Sequence, residues 1–203
     1  MNQSGYDYDY KIPEGNFTPV KAGLRGAILQ AIAHLGYQGG GQFRPSAKIA
    51  FVFQTDDEDK VIWQKHTVSK RANSNMFKFF AEWMPGTDIA TLNLPDLLGK
   101  AAVLNIKHVP NPATGKISAR FGTPMADEDG KSKNIVASDY ALILPGMPKD
   151  FVAKELVKLP NPLQKDYATQ LSEVQYQAQM DEWRAREEAE KAATAAQATN
   201  INV

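Results

Sequence analysis

"AGLRGAILQAIAHLG", residues 22–36, decides what kind of fold this chain has. Leu24, Ile28, Ile32 and Leu35 recur at helical spacing, and Gly36 sits where a helix would stop. Against a helix stand Gly23 and Gly26 near its start and the absence of a capping residue after "TPVK". The pattern leaves helix and strand both open, with periodicity on the side of helix.

Downstream lies "GGGQFRPSAK", residues 39–48. A phosphate-cradling loop needs a strand before it and a helix N-terminus after it. This run lacks the G-x-x-x-x-G-K-[ST] spacing, is interrupted by Pro45 and leads into a strand. It reads as a flexible connector, or as a mobile loop that closes over a polyanion with Arg44 and Lys48 at its exit.

The strand is "AKIAFVFQ" (47–54), with Ile49, Phe51 and Phe53 on one face. The turn "TDDED" joins it to "KVIWQKHTV" (60–68), making a hairpin. In "NSNMFKFFAEWMPG", Asn73 or Ser74 caps a helix whose apolar face is Met76, Phe79, Phe80 and Trp83, and Pro85-Gly86 stops it. "LPDLLGK" is a single turn, and "AAVLNIKHV" (101–109) and "KISARFG" (116–122) are strands around "NPATG".

Composition excludes several chemistries. Apolar residues make up 43% and charged residues 23%, ordinary for a soluble globular protein. With no cysteine there are no disulfides, thiolate metal sites or cysteine nucleophiles, which suits a reducing cytoplasm. His34, His66 and His108 have no metal-ligand spacing and read as structural. No run approaches the ~20 apolar residues of a membrane helix, and "MNQSGYDYDYK" is no apolar signal segment. The expectation is a soluble cytoplasmic protein without metal, cofactor or membrane contact.

Net charge is zero, but the charges are sorted along the chain. Lys60 to Lys78 holds five bases and no acid, and Leu97 to Ala126 holds four bases and no acid. Acids gather in "DDED" (56–59) and "DED" (127–129), so folding can make a basic face with acidic rims. Asp56, Asp57 and Asp59 are too close together for a general acid/base pair and read as a solvated hairpin tip. No nucleophile motif is present, so no enzyme is expected.

Residues 1–14 read as a flexible arm, 15–150 as the binding domain, and 151–203 as a C-terminal helix with a disordered tail. From "NPLQKDYATQ" to "AATAAQ" the chain reads as one long helix with two stripes. Tyr167, Leu171 and Val174 point one way, and Tyr176, Met180 and Trp183 the other. One stripe suits the domain; the other suits a second subunit or a replication or recombination partner, through residues 163–190.

With 22–36 as a strand, the order becomes a five-stranded OB-fold barrel, mainly β, with a helix between strands 3 and 4 and a C-terminal helical appendage. The runs "IPEGNFTPVKAGLRGAILQAIAHLGYQ", "WQKHTVSKRANSNMFKFFAEW" and "LPDLLGKAAVLNIKHV" resemble phage-encoded single-stranded DNA-binding proteins of the single OB-fold type. The resemblance spans about residues 12–125 and rests on motif order; it settles 22–36 as strand. It implies sequence-independent protection of single-stranded DNA in phage replication or recombination. Such proteins usually end in an acidic tail with a terminal aromatic, whereas "AATAAQATNINV" has neither.

Binding single strands needs cations along the phosphates and aromatic faces for the bases. The candidates are Arg44, Lys48, Lys65, Lys70, Arg71, Lys107, Lys116 and Arg120 for phosphates, and Tyr37, Phe43 and Trp63 for stacking. Trp63 and Lys65 share a strand face, taken as outward because Lys65 is costly to bury; core packing is the alternative for Trp63. Lys70 and Arg71 could equally be plain solvated bases. The competing function is a protein-interaction or virion structural module. The DNA reading requires Lys48, Lys65, Lys107 and Arg120 on one side.

Overall fold

The computed structural model describes residues 18–39, 43–58, 60–69, 71–110, 112, 115–137 and 139–200. The expected arm at 1–14 and Lys70 lie outside them. Residues 22–36 belong to a long strand, β1 (Gly23–Gln38). It pairs antiparallel with β2 (Ser46–Thr55) along Ala27–Gln38 and with β4 (Ala101–Pro110) along Gly23–Ile28. β3 (Val61–Thr67) adds to β2, and β5 (Ile117–Phe121) adds to β4. The order is β3-β2-β1-β4-β5, mainly β and antiparallel; a short β6 (Ala141–Ile143) runs parallel to β1. Among the described residues β3 and β5 approach one another without a hydrogen-bonded ladder, so the sheet is open.

The helical look of β1 has a physical cause. Leu29 and Ile32 enter one core and Ala31, Ala33 and Leu35 another, so both faces are apolar and the alternation of a half-buried strand disappears. Register shifts at Leu29/Ala31 and His34/Gly36 bend the strand. Gly36 has φ +70° beside the second shift, a conformation suited to glycine. A Cβ on Gly26 would run into the Lys131 carbonyl.

The first core lies between the sheet and α1 (Asn75–Trp83). The Ser74 hydroxyl caps this helix, accepting from the Phe77 N–H at 3.1 Å. Phe51 stacks on Phe79 (5.1 Å) and meets Phe80 edge-on (5.2 Å). The buried Trp83 Nε1 donates to the Ala101 carbonyl at 2.7 Å. Truncating any of these rings to alanine costs about 3–5 kcal/mol.

The second core covers the opposite side of β1 and β2 with β6, α2 (Lys149–Leu156) and α3 (Asn161–Ala168). A domain limit at 150/151 therefore falls inside a helix that belongs to this core. Glu155, almost fully buried, accepts from the Leu142 N–H (3.1 Å) and pairs with Lys158 (2.8 Å).

The single long C-terminal helix needs correcting. The chain leaves α3 at Ala168 and restarts as α4 (Glu173–Asn200). Between them, the Leu171 N–H donates to the Tyr37 carbonyl at 2.7 Å. Because the helix breaks there, the two stripes do not persist. Tyr167 packs on the second core, Tyr176 stacks on Tyr37 at 3.9 Å, Met180 is buried and Val174 is exposed. Of the stripe Tyr176, Met180 and Trp183, Tyr176 is half-buried against Tyr37 and Met180 is buried within the chain itself, so this stripe packs on the domain. No helix among the described residues is long and apolar enough to cross a membrane.

The hairpin tip is also corrected. Asp57 is buried, not solvated. It accepts from the Lys21 N–H (2.9 Å) and pairs with the ammonium groups of Lys21 (3.1 Å) and Lys60 (3.3 Å). Burial pushes its carboxyl upward, but the hydrogen bonds from Lys21 and Lys60 and the Lys21 charge outweigh that and hold it down at about 2.

Candidate nucleic-acid interface

The edge strand β3, the segment that leads into α1 and Gly122-Thr123 just after β5 enclose a cleft of about 740 Å³, into which α1 also turns Asn75, Lys78 and Phe79. Lys48, Lys65, Arg71 and Lys78 line it, with Gln64, His66, Ser74, Asn75 and Phe79. A second cleft of about 430 Å³ on β4 and β5 holds Asn105, Lys107 and Arg120. The two share Glu82, Gly122 and Thr123 and so form one groove. Among the described residues its lining holds six bases, Lys48, Lys65, Arg71, Lys78, Lys107 and Arg120, and one acid, Glu82.

Local structure explains the placement. Ile62, Gln64 and His66 alternate onto the inward face of β3, leaving Lys65 outward. Lys107 and Arg120 are direct partners across the β4–β5 ladder, both exposed. In α1 the apolar face is buried, and Asn75, Lys78 and Glu82, at helical spacing, form the stripe turned to the groove. The Lys48 ammonium donates to Thr67 Oγ1 at 2.7 Å; burial, then the neighbouring Lys65 charge, lowers its pKa. Lys65 is paired with Asp166 of α3 at 2.8 Å.

The four bases whose common placement the DNA reading requires, Lys48, Lys65, Lys107 and Arg120, thus lie along one groove, and Arg71 joins them. Other candidates lie elsewhere. Trp63 is half-buried against the second core, so the open base platform expected of it is corrected. The reason is that α2, α3 and β6, unforeseen as covering layers, occupy that face. Tyr37 is stacked against Tyr176, and the Arg44 guanidinium lies 5.6 Å from the Trp183 ring centre, so α4 holds both. Phe43 is 70% exposed, but neither it nor the exposed Lys116 lines the groove.

Lys78, Gln64, His66 and Asn75 were missed as site residues. Lys78 stood in the acid-free window, and its polar helix stripe was readable once the apolar face was assigned. His34 Nδ1 accepts from the Gly36 N–H (3.2 Å) and His108 Nε2 contacts the Val20 carbonyl (2.9 Å), both structural. His66 is different: it is buried, its Nε2 has no partner among the described residues, and burial lowers its pKa to about 4.

Among the described residues the molecule is thus a mainly β open sheet with adjoining basic clefts along β3, α1, β4 and β5. No family model and no curated protein sequence matches the chain.

Proposed function

We propose that this chain is a non-enzymatic binder of single-stranded DNA and that the joined clefts are its binding path. The observation that carries this is the pair of adjoining clefts lined by six bases, with Glu82 the lining acid among the described residues and Asp166 paired to Lys65. Counterion release from such contacts gives sequence-independent affinity. The lining aromatics, Phe79 and Phe121, are buried or half-buried, so phosphate contacts dominate over stacking.

We further assign the sheet to the OB type. The order β3-β2-β1-β4-β5, with α1 between β3 and β4 and the ends of the sheet brought near each other, supports that topology. A role in protecting single strands during phage replication or recombination follows from the sequence resemblance. The structural-module alternative draws on the two-striped helix and the overall neutrality of the chain; of the stripes, Tyr176 and Met180 pack inside the chain, while Val174 is exposed.

The test is fluorescence anisotropy of a labelled ~30-mer of oligo-dT against duplex of equal length, at several salt concentrations. Preferential single-strand binding that weakens steeply with salt supports the proposal. No binding to either form at low salt overturns it.

A further inference from the structure

The rim and the floor of the larger cleft differ chemically. The rim is cationic, with Lys48, Lys65, Arg71 and Lys78. The floor holds two neutral polar groups on the inward face of β3, Gln64 and His66, beside the ring of Phe79. His66 is 6% exposed, and its Nε2 has no hydrogen-bond partner among the described residues. Gln64 Oε1 is likewise enclosed and without a partner among the described residues. Enclosed polar atoms without partners are uncommon and destabilising, and two of them, two residues apart on one strand face, form a pair waiting for a complementary edge.

The surroundings fix this pair in place. The imidazole meets the Phe79 ring edge-on at 4.5 Å, and Phe79 stacks on Phe51. Burial keeps the ring uncharged at neutral pH, so it offers a directional hydrogen bond and no charge to a phosphate. A ligand that suits both levels has a flat ring with a polar edge and an attached anion. The cleft, about 740 Å³, is within the ~300–1,000 Å³ of small-molecule sites.

Resting on the single-strand reading above, we propose that this cleft is a nucleobase subsite. One base of the bound strand enters between β3 and the start of α1, its polar edge hydrogen-bonded by Gln64 and His66, while its phosphates lie on the lysine and arginine rim. The groove as a whole is indifferent to sequence, and this position gives it a base preference.

Two measurements on the full chain test this. Homopolymers dA, dC and dT of equal length are expected to differ in affinity by about fivefold or more between best and worst, the scale of a well-made pair of base-edge hydrogen bonds. Gln64→Leu is expected to bring the three together while leaving the salt dependence unchanged. Independently, titrating the wild-type protein with deoxynucleoside monophosphates is expected to move the His66 imidazole nitrogen resonances, and deoxyribose 5-phosphate is expected not to. Equal homopolymer affinities, a preference that survives Gln64→Leu, or imidazole shifts identical for the sugar phosphate each overturn the subsite while single-strand binding stands. Failure of every homopolymer to bind overturns the function proposed above instead.

Discussion

Replacing Lys107 and Arg120 together by alanine removes a facing pair of exposed cations from the β4–β5 end of the groove. Single-strand binding loses about 0.7 in logarithmic salt slope for each phosphate contact released. If all six groove bases touch phosphate, the wild-type slope is about −4, and affinity falls about 300-fold between 50 and 200 mM salt. Without the pair the slope is expected near −3, with a fall of about 50-fold over the same range. The readout is anisotropy of labelled oligo-dT at four or more salt concentrations, comparing slopes and not single affinities. Lys149 and Lys154, exposed on α2 and away from the groove lining, supply the control: their double alanine variant is expected to keep the wild-type slope. An unchanged slope in the Lys107/Arg120 variant, or an equal drop in the control, refutes the groove as the phosphate path.

Three further outcomes are expected. Asp166→Asn frees Lys65 from its 2.8 Å partner, and single-strand affinity is expected to rise, by up to about fivefold given the worth of a partly exposed ion pair; an unchanged or lower affinity means Lys65 does not meet the strand. Asp57→Ala removes a buried carboxylate shared by Lys21 and Lys60 and is expected to cost about 2 kcal/mol in urea unfolding at pH 7, the worth of lowering its carboxyl from 3.8 to about 2. Because the folded-state carboxyl lies at about 2 against an ordinary 3.8, its ionic stabilisation is complete above about 4 and lost as pH falls toward 2; the gap to the variant should narrow over that window. A double-mutant cycle on Tyr37 and Tyr176 is expected to give a coupling of about 1 kcal/mol from the 3.9 Å ring stack, and a value near zero denies that α4 clamps the end of β1.

What the sequence determined by itself is what neighbours in the chain decide. The hairpin over 46–67, the helix bounded by Ser74 and Pro85-Gly86, and the β4–β5 pair are set by alternation, capping and turn residues, and all appear within a residue or two of their expected limits. The two acid-free windows were equally visible, and five of their bases, Lys65, Arg71, Lys78, Lys107 and Arg120, line the groove, whereas Lys60, Lys100 and Lys116 do not. Tertiary structure alone decided the rest, because it depends on what lies across from each residue. β1 looked helical because separate cores cover its two faces, and only long-range partners reveal that. Trp63 turned from platform to packing once α2, α3 and β6 were laid over its face. Asp57, one acid among neighbours in an apparent surface turn, became a buried ion-pair centre because Lys21, 36 residues earlier, folds back onto it. His66 acquired its unpartnered nitrogen in the same way: the strand fixed its direction, and the gap between β3 and β5 made it the floor of a cleft.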